Sequence, residues 1–468
     1  MPILNLDSMT EVLLVQPEYG EEVKKRIFQP GMEFPYNLTC LSSFLETEGI
    51  SNEIFDLRIH KRPDALLTEV LQKLKPRVVG ITSVTSGINN AAKIAKTIKD
   101  VDKNIITVIG GCHASALPDE TLINYPHFDY LVHGEGEIVF TNLINAARTS
   151  NKEIGKLKGI AFRKDGIIKV NPREKRVSNL DELPFPARHK VDINKYVPNP
   201  ATRNYWRLPT TGLSVGRGCP YQCLFCYKGV WGNSVYFRSS DHVLLEIKNC
   251  IERFGTHDFR FYDDVLTFPR WDIKGFSRKI IESGIDIKWS CWSRANDVDY
   301  ETLALMKKAG CYHIKYGIEF GTEKALKLSR KGITLEQSRK AIKITKEIGI
   351  ECKGSFIFGI PGETVEDCRR TLEFALELSP DFATFYAYDC IPGSKFYEQA
   401  IRGLSSEPAL PRETTEKLVS RAYRKFYFRS AFVLQRIKGL IRNPQHEIRA
   451  IFNGVKMMFL FFLRSVLK

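Results

Sequence analysis

Short apolar runs alternate with amphipathic stretches along most of this chain, and that alternation leaves few folds open. In the first 145 residues the apolar runs fall at 11–17, 54–57, 77–83, 105–111 and 130–133, with helical patterns at 36–48, 65–74 and 91–99. Strands separated by helices at this spacing imply a parallel sheet, so an α/β layer of flavodoxin-like or Rossmann-like type is expected over 1–145. A second series starts at 213–215 and continues with strands at 258–262, 286–292, 313–318, 351–358 and 381–388. The intervening helical patterns give six strand–helix units, short of the eight of a closed barrel, so residues 206–400 are expected to form a partial, TIM-like (β/α)6 barrel. Residues 146–205 read as a charged connector with a small hairpin around Lys164-Asp165-Gly166. Pro408 and Pro411 mark the start of a basic helical region, 401–468, with one helix expected at 414–440 and a second at 447–468.

The barrel series opens on Gly216-Arg-Gly-Cys219-Pro-Tyr-Gln-Cys223-Leu-Phe-Cys226-Tyr227. Three soft thiolate donors on one short loop suit an iron–sulfur cluster. A cube of four irons bound by three local cysteines keeps one iron open. No fourth cysteine is near, the next being Cys250. Zinc completed by a distant ligand is an alternative for Cys223 and Cys226. A disulfide fits poorly with the odd count of 11 cysteines and with an N-terminus lacking a visible secretory signal, and both features point to a reducing, cytoplasmic setting.

The spacing C-x3-C-x2-C, with Phe225 before its last cysteine, resembles the signature of the radical SAM enzymes. The resemblance implies a [4Fe–4S] cluster on Cys219, Cys223 and Cys226 whose open iron binds S-adenosylmethionine, and whose reduction yields a 5′-deoxyadenosyl radical. It also implies a reducing electron donor such as flavodoxin or ferredoxin, and sensitivity to oxygen. Contacts are expected at the strand ends: Asp263 or Asp264 near the amino group of S-adenosylmethionine, Arg294 at a substrate or cofactor carboxylate, Glu319 at the ribose, and the backbone around Gly359 and the ring of Tyr227 at adenine.

Ahead of this core, the strand-end loops carry Thr82, Ser83, Thr85 and Ser86, then Gly110-Gly111-Cys-His113, then Gly134-Glu135-Gly136. That edge of a parallel sheet is where ligands bind, and a double glycine lets a large flat ligand approach the backbone. Their order in front of the cysteine triplet resembles the cobalamin-binding domain of one radical SAM subgroup. The chain lacks D-x-H-x-x-G, so the resemblance implies cobalamin held without a histidine from that motif; neither His60 nor His113 has its neighbours.

Cobalamin joined to radical chemistry leads to the expectation of C-methylation at an unactivated carbon. Ring formation or oxidation without methyl transfer is the first rival, and a non-enzymatic corrinoid sensor the second. A tRNA methylthiotransferase would want further N-terminal cysteines, and only Cys40 and Cys112 are there. The formal net charge is +15, and residues 421–468 hold eleven Lys or Arg against Glu447 alone. With the apolar run 457–463, this end suggests a lipid or other apolar small-molecule substrate and peripheral contact with a membrane surface, or else packing against the barrel. Nucleic acid is not an expected partner.

Overall fold

The computed structural model describes residues 10–20, 31–149, 153–198, 205–404, 408–442 and 447–448. The chain divides into two compact units, Met1–Tyr196 with Lys228–Tyr236, and Val197–Tyr227 with Phe237–Lys468.

The first unit is built on strands β1 (Val12–Gln16), β2 (Asn52–Asp56), β3 (Val78–Thr82), β4 (Ile106–Gly110) and β5 (Tyr130–Val132), ordered β2-β1-β3-β4-β5 and all parallel. This is the flavodoxin-like order. Val12 to Val15 are wholly buried, as strands covered on both faces must be. Leu67, Val70 and Leu71 of helix Pro63–Leu74 and Ile94 and Ile98 of helix Ile88–Val101 pack on Leu13, Val79 and Ile109. Strands β6 (Ile160–Lys164) and β7 (Ile167–Val170) extend this sheet antiparallel beyond β5. Asp165 and Gly166, at φ 53° and 76°, make the tight two-residue turn between them.

The second unit contains β8 (Thr210–Leu213), β9 (Gly216–Arg217), β11 (Asp258–Phe261), β12 (Lys288–Ser293), β13 (Cys311–Glu319), β14 (Glu351–Phe358) and β15 (Phe382–Ala387); β10 (Tyr236–Phe237) joins the units in sequence. Six of them form one parallel sheet, β15-β14-β13-β12-β11-β8, the open barrel expected from the sequence. Its helices start at side-chain caps. Thr334 and Thr364 form reciprocal capping boxes with Gln337 and Asp367, and Gly255 and Gly349 end helices in the left-handed conformation.

At the base of the barrel the buried Asp258 accepts hydrogen bonds from the amides of Trp206 and Arg207 and from the Thr210 hydroxyl. Burial is the largest influence on its carboxyl and pushes it up to about 7, against these donors. An unfolded aspartate titrates near pH ~4. The folded value lies above that, so this proton-linked stabilisation is complete below pH ~4 and is lost as pH rises through about 7. Urea unfolding midpoints are expected to fall as pH rises across that window, and Asp258→Asn to flatten the fall.

The single helix expected at 414–440 is two helices, Arg412–Tyr427 and Ser430–Arg442. No glycine or proline breaks them. Instead Arg429 stacks 3.6 Å from the Phe426 ring centroid and donates to Ser379 Oγ and the Pro380 carbonyl, holding the chain at the bend. The helix expected at 447–468 lies outside the described residues apart from Glu447 and Ile448. Helix Arg412–Tyr427 packs on the barrel. The Tyr423 and Tyr427 hydroxyls accept from the amides of Phe385 and Ala383 on the outer side of β15, so an edge strand is closed by two tyrosines.

Candidate functional site

In the second unit the cysteine loop follows β8 and is held from several sides. Gly218, at φ 103°, turns the backbone into it. The Leu224 amide donates to Ser329 O at 2.9 Å, and the Leu224 carbonyl accepts from the Phe396 amide at 3.0 Å. Phe225 packs edge-on against the buried Phe320, their centroids 6.0 Å apart. Cys219 and Cys223 are half-buried, Cys226 is exposed, and none of the three is in a disulfide. Among the described residues no three Cys, His, Asp or Glu converge on a point fit for one metal ion. A cubane makes a different demand, each thiolate on its own iron, and three soft donors on one pinned loop suit it.

Asp263 and Asp264 separate into two roles. Asp263 is buried and accepts from the amides of Val215 at 3.0 Å and Gly216 at 2.6 Å and from the Ser214 hydroxyl at 3.2 Å. It thereby ties the entry to the cysteine loop to the end of β11. Burial pushes its carboxyl up to about 7. Asp264 is exposed at the same strand end. Gly212 sits within β8, where a Cβ would lie 2.0 Å from the Tyr262 ring.

Arg294, expected at a carboxylate, is buried with its guanidinium 3.6 Å from the Tyr221 ring centroid. Its donors reach the Lys331 and Gly332 carbonyls and Asn296 Oδ1, and Nη1 lies 3.8 Å from Cys223 Sγ. The Tyr221 hydroxyl bonds Asp297. Glu319 ends β13 in the left-handed region at φ 68°, beside a register shift between Gly317 and Glu319 against β14. Such strain in a non-glycine residue gathers at functional sites. Its carboxylate pairs with the buried Lys331 at 3.0 Å, and a Cβ on Gly317 would come within 2.4 Å of Glu319 Oε1. Gly359 and Gly362, at φ 87° and 84°, frame a turn whose Gly359 and Ile360 amides donate to the buried Glu363 at 2.8 and 2.9 Å. Tyr227 is half-buried directly after Cys226.

In the first unit the expected strand-end residues form one connected edge. The Ser83 amide donates to Gly110 O at 3.0 Å and the His113 amide to Ser83 O at 3.3 Å. Thr82 Oγ1 accepts from Asn37, which sequence reasoning did not single out, at 3.2 Å. Thr85 and Ser86 form a single helical turn ending at Gly87. His113 is buried with Nδ1 3.3 Å from Thr85 Oγ1, which ties the ring into the loops, and burial lowers its pKa. Gly134 N donates to Ser115 Oγ, another residue missed from sequence, and Glu135 accepts from Arg176 Nε at 2.9 Å and the Val177 amide at 3.1 Å. Gly136 starts helix Gly136–Thr149.

A Cβ on Gly134, at φ 91°, would meet nothing within 4 Å, and one on Gly110 only Val132 O at 3.8 Å. Bare backbone with open space above it fits the approach of a large flat ring such as a corrin. Gly111 is different: at φ 96° its Cβ would lie 2.7 Å from Ser83 O. Gly111→Ala is expected to cost about 1–3 kcal/mol of backbone strain and to lower the corrinoid retained on purification, read from its visible absorption.

A family model described as Radical SAM superfamily matches residues 213–375, and one described as B12 binding domain matches residues 30–144. An uncharacterized methyltransferase of Pyrococcus horikoshii is 29% identical over 461 residues, covering 92% of this chain and 98% of the relative. The anaerobic magnesium-protoporphyrin IX monomethyl ester cyclase of Rubrivivax gelatinosus is 27% identical over 445 residues, covering 90% and 78%. The structure of the radical S-adenosylmethionine methyltransferase TsrM from Kitasatospora setae, with cobalamin and a [4Fe–4S] cluster bound, shares the fold with a TM-score of 0.68 at 20% identity, over 83% of this chain and 77% of that one. With both family models matched in the order that the cysteine loop and the glycine-rich edge anticipate, the chain belongs to the cobalamin-dependent radical SAM enzymes.

Proposed function

We propose that this enzyme is a C-methyltransferase acting at an unactivated carbon of an apolar or lipid-like metabolite. The observation that carries the reading is the pinned three-thiol loop of an open barrel, in a chain that also matches a B12-binding domain and is similar over nearly its whole length to a methyltransferase. When bound, the [4Fe–4S] cluster with S-adenosylmethionine supplies a carbon radical able to take hydrogen from an inert C–H bond, and cobalamin supplies the methyl group.

The chain's own residues do the holding. Cys219, Cys223 and Cys226 ligate the cluster, and Asp263 fixes the backbone that presents them. The exposed Asp264, at a strand end, would take the amino group of S-adenosylmethionine, and Glu319, at the left-handed end of β13, would take the ribose hydroxyls. Tyr227 and the Gly359 turn hold adenine. The loops at Thr82–Ser86, Gly110–His113 and Gly134–Glu135 carry the corrin. Work of this kind is positioning and shielding; the hard bond chemistry belongs to the cofactors. Reducing electrons come from a flavodoxin or ferredoxin type of donor.

Likeness to the magnesium-protoporphyrin cyclase favours a second reading, ring formation without methyl transfer. Mass analysis of metabolites and lipids from cells with and without the gene separates the two. A product heavier by one CH2 supports methylation, and one lighter by hydrogens supports cyclisation.

A further inference from the structure

Helix Ser430–Arg442 divides its apolar residues between two sides. Its inward side is mixed: Phe432 packs against Phe382 and Tyr427, Gln435 bonds Asp381, and the buried Arg436 lies 4.7 Å from the Phe382 ring centroid and pairs with Glu447 at 3.1 Å. Its outward side is aliphatic. Val433, Leu434, Ile437 and Ile441 are 50, 57, 50 and 81% exposed, and their spacing puts them on one stripe of the helix. Phe428, 60% exposed, stands just before it. A surface helix ordinarily keeps its large aliphatic residues on the inward side. Four large aliphatic side chains left half or more in water favour an apolar cover.

Charge says what covers them. Of the formal net +15, a net +10 lies in residues 421–468, eleven basic residues against one acidic. Arg421, Arg424 and Lys425 are exposed on the preceding helix. The sequence beyond the stripe keeps the same character, with Met457 to Leu463 unbroken and apolar between Lys456 and Arg464. No helix among the described residues is long and apolar enough to cross a membrane. An exposed aliphatic stripe within a strongly basic stretch of chain is the pattern of a helix lying in the interface plane.

We propose that the Val433–Leu434–Ile437–Ile441 face docks onto an anionic membrane surface, lying in its plane. The proposal does not depend on the substrate being a lipid. The test is flotation of the full chain with phosphatidylcholine vesicles with and without phosphatidylglycerol. The wild type is expected to float with the anionic vesicles and to be released by salt. Val433→Glu combined with Ile437→Glu is expected to lower the bound fraction about tenfold, while the reconstituted cluster absorption and the monodisperse state stay as in the wild type. Wild-type protein that ignores anionic vesicles would overturn the proposal. So would a double variant that floats equally well, since the cover would then lie elsewhere. A wild-type dimer that the double variant dissociates would make a second copy of the chain the occupant and also overturn it.

Discussion

Cys226→Ala is expected to leave the chain folded and without its cluster. The residue is exposed on a loop pinned through Leu224 and Phe225, so its loss opens no core cavity. The barrel sheet does not depend on it. Two thiolates remain, and a cubane with two of its irons unligated is not retained under reducing conditions. Anaerobic reconstitution should therefore give neither the broad visible absorption of an iron–sulfur cluster nor its spin signal after reduction, and cleavage of S-adenosylmethionine should fall to background. Cys112→Ala, in the first unit, is the control and should keep both. A Cys226→Ala protein that holds a full cluster would show that the ligand assignment is wrong.

The second large effect is expected at Asp263, a residue that touches no cofactor in this account. Its carboxylate satisfies the Val215 and Gly216 amides and the Ser214 hydroxyl at once. Asp263→Ala leaves these donors facing a dry space, at about 1–3 kcal/mol for each group left unmatched. The backbone they belong to leads directly into Cys219, so the loss appears as a loop that no longer presents its thiols together. Iron and sulfide bound per chain after reconstitution should drop several-fold, and the thermal midpoint of the apoprotein should fall. Asp263→Asn keeps one carbonyl acceptor and should recover part of both. An Asp263→Ala protein with undiminished iron and an unchanged midpoint would remove Asp263 from the site.

The architecture was legible because it rests on periodicity. Buried parallel strands such as β1 and β3 read as continuous apolar runs, and the cysteine spacing is local. What escaped the sequence depends on contacts made at a distance. Asp263 and Asp264 are neighbours just past β11, and sequence cannot say which of two adjacent side chains turns inward when the strand phase runs out at Phe261. Glu319 in the left-handed region has no sequence signal, because the bulge that puts it there comes from pairing with β14. Its partner Lys331 lies 12 residues on. Glu363 reads as the first acid after a glycine turn, yet it folds back to cap that turn. The bend at Phe428–Arg429 has no glycine or proline to announce it, and it is held by Ser379 and Pro380 some 50 residues earlier.

The most direct test is made on the anaerobically reconstituted, reduced full chain supplied with S-adenosylmethionine. Formation of 5′-deoxyadenosine and methionine, absent from Cys226→Ala, is the result expected of an open iron held by three thiolates. A wild-type chain that carries tetrahedral zinc in place of iron and sulfide, or that carries a full cluster and leaves S-adenosylmethionine intact, would contradict it.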